Sequence, residues 1–353
     1  MPFRDPLPKR PRGAAMSTPP ELLDLPPDLH YVDDSLPGIS RRRLRGRFAY
    51  FDPGGERIRV ETEIERIDRL AIPPAYIDVW ICIDPLGHLQ ATGRDVRGRK
   101  QYRYHPRWTE VRDSAKYERL LRFGESLPAL RRRIERDLAL PGLGAEKVMA
   151  TVVELLDRTL IRIGNERYRK ENRSFGLTTL NNRHVEVQGT RIRFAFRGKS
   201  GIRHSVDIEH PRLARILRRC LELPGQQLFQ YLDADHQRHM IDSRDINAYL
   251  REHAGEEFTA KDYRTWAGTT LALEHCRRTH WEDEKSANRQ LKSIIQQVAD
   301  ELGNTPAICR KCYVHPRVIQ AFLAGELSGL AKARKRKNLS AEEATLLAFL
   351  QSD

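Results

Sequence analysis

The stretch HVEVQGTRIRFAFRGKSGIRHSVDI, residues 184–208, decides how the chain is built. Within it His184–Val187, Arg191–Arg197 and Ile202–Ile208 alternate apolar and polar residues, the period of strands with one buried face. Gly189 and Gly198–Gly201 mark two turns, so the stretch predicts a three-stranded meander. On both sides the period is helical. Upstream, Leu120, Leu121, Phe123, Leu127 and Leu130 recur at helix spacing, as do Val148, Val152, Leu155, Leu156, Leu160 and Ile163. Downstream, helices are expected over 211–224, 243–254, 260–275, 287–302 and 307–324. A β island inside a helical run predicts a mainly helical domain that carries a small sheet.

Further toward the N-terminus the texture changes to β. Phe48–Phe51, a turn at Asp52–Gly55 and Arg57–Val60 read as one hairpin. Val79–Ile83, Asp84–Gly87 and His88–Thr92 read as a second, and Pro73-Pro74 separates the two. The fold class is therefore α+β, a small β-rich domain over 29–105 followed by a larger helical domain over 106–325. Residues 1–28 hold eight prolines and few apolar anchors, which predicts a disordered tail, with Met16 as a second possible start. Residues 326–353 read as a basic C-terminal tail, with a run of cations at 332–337 before a short amphipathic segment.

Composition narrows the class. In 353 residues, Lys+Arg is 62 against Asp+Glu 48, a net charge of +14 that favours a polyanionic partner. Mean hydropathy is −0.62, and no stretch approaches the ~20 apolar residues of a membrane span. Five cysteines in so long a chain argue against a disulfide scaffold and for a reducing compartment. The expectation is a soluble cytoplasmic protein with no membrane partner.

Two arginine clusters lie in the β region. Residues 41–47 hold Arg41, Arg42, Arg43, Arg45 and Arg47. Residues 94–107 hold Arg94, Arg97, Arg99, Lys100, Arg103 and Arg107 against one acid, Asp95, and interleave Tyr102 and Tyr104. Guanidinium forks neutralise phosphates and tyrosines hydrogen-bond the backbone, so both clusters are candidate nucleic-acid contacts. The GKS triplet at 198–200 is not a phosphate-binding loop: Arg193 stands where that loop needs glycine, and a strand follows. Lys199 is left as an ammonium at a hairpin tip. Cys309-x2-Cys312 and Cys276-x3-His280 fall inside helical patterns, where a structural zinc is not expected. No metal or other cofactor is called for.

A distributed set completes a different chemistry. Arg162 lies in IRIGNERY (161–168), Arg264 in KDYRTWAG (261–268), and Asn304 and Tyr313 follow in LGNTP and the helix after it. A tyrosine hydroxyl can attack phosphorus. Two arginines and an amide donor can hold the non-bridging oxygens, and a lysine can protonate the departing oxygen.

The order of these pieces, with TGRDVRGRKQYRY (92–104), KENxxFGLTTL (170–180) and NTPxxxxxxY (304–313), resembles the type IB DNA topoisomerases of the poxvirus-like and bacterial branch. The resemblance spans roughly residues 29–325. It implies two domains closing on duplex DNA as a C-shaped clamp, catalysis by Arg162, Lys199, Arg264 and Tyr313, and relaxation of supercoils through a 3′-phosphotyrosyl ester without ATP or metal. Asn304 stands where many members carry histidine and keeps a hydrogen-bond donor there. DNA contacts are expected from Arg41, Arg42, Arg43, Arg94, Arg97, Arg99, Lys100, Tyr102 and Tyr104, in a monomer associated with the nucleoid.

Tyrosine recombinases share this chemistry, but they usually carry histidine where this chain has Lys261, and their N-terminal domains are normally helical. A non-catalytic DNA-binding protein would have no reason to fill every catalytic position.

Overall fold

The computed structural model describes residues 25–255 and 258–352. The chain divides into two compact units, one up to residue 116 and one from 117 onward.

The first unit is built on β1 (Ile39–Leu44), β2 (Arg47–Phe51), α1 (Glu61–Arg69), β3 (Ile77–Ile81), β4 (Leu89–Arg94) and β5 (Lys100–Tyr104). The strands form one antiparallel sheet in the order β2-β1-β3-β4-β5. The first hairpin differs from the sequence expectation. β2 pairs with the arginine-rich β1, while Arg57–Val60 makes a single bridge, Arg57 to Phe51, and then leads into α1. The cause is the two-residue turn Arg45-Gly46, where both residues have positive φ, 46° and 82°, as a tight hairpin turn requires. Ile39, Tyr50, Ile67, Val79, Ile81 and Ala91 form the core of this unit. Of the expected disordered tail 1–28, residues 1–24 lie outside the described residues, whereas Asp28 pairs with Arg107.

α2 (Pro106–Ala139) leads into the second unit. There follow α3 (Ala145–Thr159), α4 (Glu166–Asn172), β6 (Val185–Gln188), β7 (Arg191–Arg197), β8 (Arg203–Glu209) and α5 (Pro211–Glu222). After them come β9 (Gln230–Leu232), β10 (Arg238–Met240), α6 (Ser243–Ala254), α7 (Ala260–Arg278), α8 (Glu284–Glu301), α9 (Pro306–Cys312), α10 (Pro316–Leu323) and α11 (Ala341–Gln351). β6, β7 and β8 are a three-stranded antiparallel sheet, and Ile192, Phe194 and Phe196 of β7 are buried while their neighbours face out.

Two sequence expectations are corrected here. The single helix expected over 307–324 is two, α9 and α10, because Pro316 starts a new helix and has no N–H to continue the old one. The expected C-terminal tail holds α11, which buries Leu346, Leu347 and Phe349 in the main core. Ser340 caps this helix and Glu343 closes the capping box. Glu343 also accepts from Arg131 at 2.8 Å and from the Trp266 indole at 3.1 Å. No helix among the described residues is long and apolar enough to cross a membrane.

Candidate active site

Arg162 follows α3 on an extended segment. Its backbone is held by one neighbouring segment: Leu177 N–H donates to the Arg162 carbonyl at 2.9 Å, and Thr178 N–H to the Ile163 carbonyl at 2.7 Å. The guanidinium donates to the Gly303 carbonyl at 2.9 Å and to the side-chain oxygen of Asn304. Arg264 sits early in α7, whose N-terminus is fixed by Asp262 accepting from Thr259 N–H and its hydroxyl. Only 4% of Arg264 is exposed. Its two terminal nitrogens donate to the Leu160 and Leu302 carbonyls, and its Nε is buried with no partner.

Neither guanidinium has a carboxylate partner among the described residues; backbone carbonyls and one amide hold both in place. Burial and the nearby Arg162 charge push Arg264 down to about 10. Burial lowers Arg162 as well. One buried and one half-buried guanidinium, with no carboxylate partner among the described residues, form a site that an external anion stabilises.

Tyr313 ends α9, and its ring centre lies 5.4 Å from the Arg264 guanidinium carbon. Gly268 lies against the Tyr313 backbone, where a Cβ would come within 2.7 Å of the carbonyl oxygen. Asn304 uses its oxygen on Arg162, so its amide nitrogen is the remaining donor, and it is buried without a partner. The cap of α9 is Thr305, whose hydroxyl accepts from Ile308 N–H, so Asn304 is not the helix cap. Lys199 is exposed at the β7–β8 tip. Arg162, Lys199, Arg264 and Tyr313 line one cavity of about 280 Å³; Asn304 does not line it but accepts from Arg162, which does. Asn165, Tyr168, Ser174 and Lys261 line the same cavity in addition to the residues expected from sequence, and each lies in or next to one of the sequence motifs quoted above.

In the first unit the expected DNA-contacting side chains divide. Arg41 is committed internally: it donates to the Ile72, Pro73 and Tyr76 carbonyls and stacks on Phe48. Arg42 lies over Phe51, and Arg43 is exposed. Arg94 faces Asp78 at 3.5 Å, Arg99 faces Asp95 at 2.7 Å and Lys100 faces Asp34 at 2.5 Å. Tyr102 and Tyr104 stack with centres 6.1 Å apart, and Arg97 is exposed at the β4–β5 turn.

Residues 105–339 match the family model described as the catalytic core of eukaryotic DNA topoisomerase I, and residues 47–95 match the N-terminal domain of bacterial DNA topoisomerase IB. The chain belongs to the type IB DNA topoisomerases. A mimivirus DNA topoisomerase 1B is 31% identical over 293 residues, 81% of this chain and 87% of the viral protein. The DNA topoisomerase 1 of rabbit fibroma virus is 25% identical over 247 residues, covering 67% of this chain and 72% of its own. The DNA topoisomerase 1B of vaccinia virus (strain Western Reserve) is 22% identical over 271 residues, covering 72% and 81%. A type IB topoisomerase is a DNA-binding isomerase, and the catalytic-core match contains Arg162, Lys199, Arg264, Asn304 and Tyr313.

Proposed function

We propose that this topoisomerase relaxes supercoiled duplex DNA by a transient break in one strand, with Tyr313 as nucleophile. The phenolic oxygen bonds to phosphorus and the bond to the 5′ oxygen breaks, leaving a 3′-phosphotyrosyl ester. The phenolic proton passes to solvent, and the Lys199 ammonium gives its proton to the leaving oxygen. Arg162, Arg264 and the free amide N–H of Asn304 hold the non-bridging oxygens while charge builds on them. The DNA then swivels under its own torsion, and the 5′-hydroxyl reverses the step. The ester conserves the bond energy, so ATP has no part in the cycle, and the paired guanidiniums supply the charge that a metal ion would otherwise provide.

The observation that carries this reading is the buried Arg264 guanidinium and the half-buried Arg162 guanidinium beside Tyr313, neither with a carboxylate partner among the described residues. In structural ion pairs a carboxylate normally answers a buried guanidinium; here the place is left for a phosphate. The exposed cations and stacked tyrosines of the first unit support a second grip on the same duplex, so that both units take hold of one DNA as a clamp and the enzyme acts as a monomer. The test is relaxation of plasmid without ATP and with a chelator, with detergent-trapped adducts mapped on end-labelled duplex. Relaxation together with protein on the 3′ side of the break supports the reading. A requirement for metal or ATP, or protein on the 5′ side, overturns it.

A further inference from the structure

The β7–β8 hairpin that carries Lys199 also carries His204, directly opposite Phe196 across the two strands. The two rings are stacked, with centres 5.1 Å apart and planes 13° off parallel. From there the imidazole touches two backbone segments. A Cβ on Gly198 would lie 2.6 Å from its Cδ2 and Nε2, and a Cβ on Gly303 would lie 2.7 Å from its Cε1. Any side chain at either glycine would displace the ring. Gly198 immediately precedes Lys199, and Gly303 immediately precedes Asn304. Gly303 also has φ of +56°, and its carbonyl accepts from Arg162. The imidazole thus stands between the hairpin tip that carries Lys199 and the turn that carries Asn304. Burial, and then the charges of Arg162 and Arg264, hold it below the ordinary imidazole value, so it fills this place as a neutral ring.

We propose that His204 is a positioning residue, a flat spacer that docks the Lys199 hairpin against the Gly303–Asn304 turn and sets where the Lys199 ammonium meets the leaving oxygen. It acts through Lys199 and touches no substrate itself. The inference rests on the reading of Lys199 as the general acid, and its test is arranged so that the two can fail separately.

The experiment is single-turnover cleavage of a duplex with an ordinary 5′ oxygen leaving group and of the same duplex with sulfur at that position, a leaving group that needs no acid. His204→Ala is expected to slow cleavage of the oxygen substrate by about 10–10²-fold, the scale of a misplacement near 1 Å. On the sulfur substrate the loss should be under about threefold. His204→Gln, whose flat amide has similar reach, should recover most of the loss. In a Lys199→Ala background, His204→Ala should add almost nothing, because the group it positions is gone. Equal losses on both substrates, no recovery by glutamine, or defects that multiply in the double variant would each overturn the proposal. Lys199→Ala alone decides the general-acid reading through its own rescue by sulfur, while the double variant still reports whether His204 works through Lys199.

Discussion

The Arg162 guanidinium donates to the side-chain oxygen of Asn304, which fixes the amide orientation and leaves its nitrogen as a buried donor without a protein partner. Turned the other way, the amide N–H groups would meet the guanidinium donors, so Arg162 selects the orientation that leaves the amide N–H groups without a partner. Asn304→Ala is expected to lower the cleavage rate by about 10²–10³, the contribution of one oxyanion donor. Asn304→Asp should cost at least as much, since its carboxylate would occupy Arg162 and repel the phosphate. Melting temperature should barely change for Asn304→Ala, because Thr305 caps α9. Normal single-turnover cleavage by Asn304→Ala would remove this residue from the mechanism.

Arg41 and Arg97 belong to the same basic region and should behave oppositely. Arg97 is exposed, so Arg97→Ala should weaken DNA binding at every sequence and reduce the slope of log affinity against log salt by about one. Arg41→Ala removes a side-chain donor from the Ile72, Pro73 and Tyr76 carbonyls, of which Pro73 keeps the Tyr76 N–H, and should appear chiefly as lost stability of the first unit. Salt titrations and thermal melts on both variants check this. A reduced salt slope for Arg41→Ala at unchanged stability would contradict the assignment.

α11 is expected to be integral to the second unit. Arg131 links Asp157 at 2.7 Å and Glu343 at 2.8 Å, and α11 buries three large apolar side chains. Ending the chain at residue 339 should destabilise this unit by more than about 4 kcal/mol, from about 1.5–3 kcal/mol for each buried side chain. Arg131→Ala should cost about 3–5 kcal/mol, because two carboxylates would be left with no cation between them. Denaturant unfolding measures both. A truncated protein with wild-type stability would mean that α11 does not contribute to the core.

Stability should fall on mild acidification. Burial holds His88, His184, His204, His210 and His253 below the ordinary imidazole value. In the unfolded chain these rings take up protons as pH drops through about 6.5, whereas the folded rings stay neutral to lower pH. The unfolded state therefore binds more protons in that window, and the folded state loses ground as pH falls from about 7.5 to about 5.5. A melting temperature that is constant or rises over that range would contradict the sign.

The β island was legible because β7 strictly alternates buried and exposed residues, a pattern no helix imitates. β1 was not, because its three consecutive arginines read as a charge run and hid both the strand and the Arg45-Gly46 turn. α11 corresponds to the short amphipathic segment expected after the basic run, but the run of cations beside it hides that Leu346, Leu347 and Phe349 are buried in the main core. In the site, the residue types and their order were readable, but their anchoring was not. Arg162 and Arg264 are held by carbonyls of residues 160, 302 and 303, and no side-chain pattern reveals a backbone partner. The place of His204 is hidden in the sequence for a similar reason. A lone histidine opposite a phenylalanine looks like an ordinary cross-strand pair until the two glycines are seen against its edges.

If Tyr313 attacks the phosphodiester in a pocket whose positive charge binds the phosphate, chemistry and binding separate at its hydroxyl. Comparing wild-type protein with Tyr313→Phe tests this most directly, by measuring covalent adduct on a labelled duplex and affinity for the same duplex. The substitution removes one hydroxyl and no positive charge, so adduct and plasmid relaxation should vanish while affinity stays nearly unchanged. Adduct formation or relaxation above background by Tyr313→Phe would place the nucleophile on another residue.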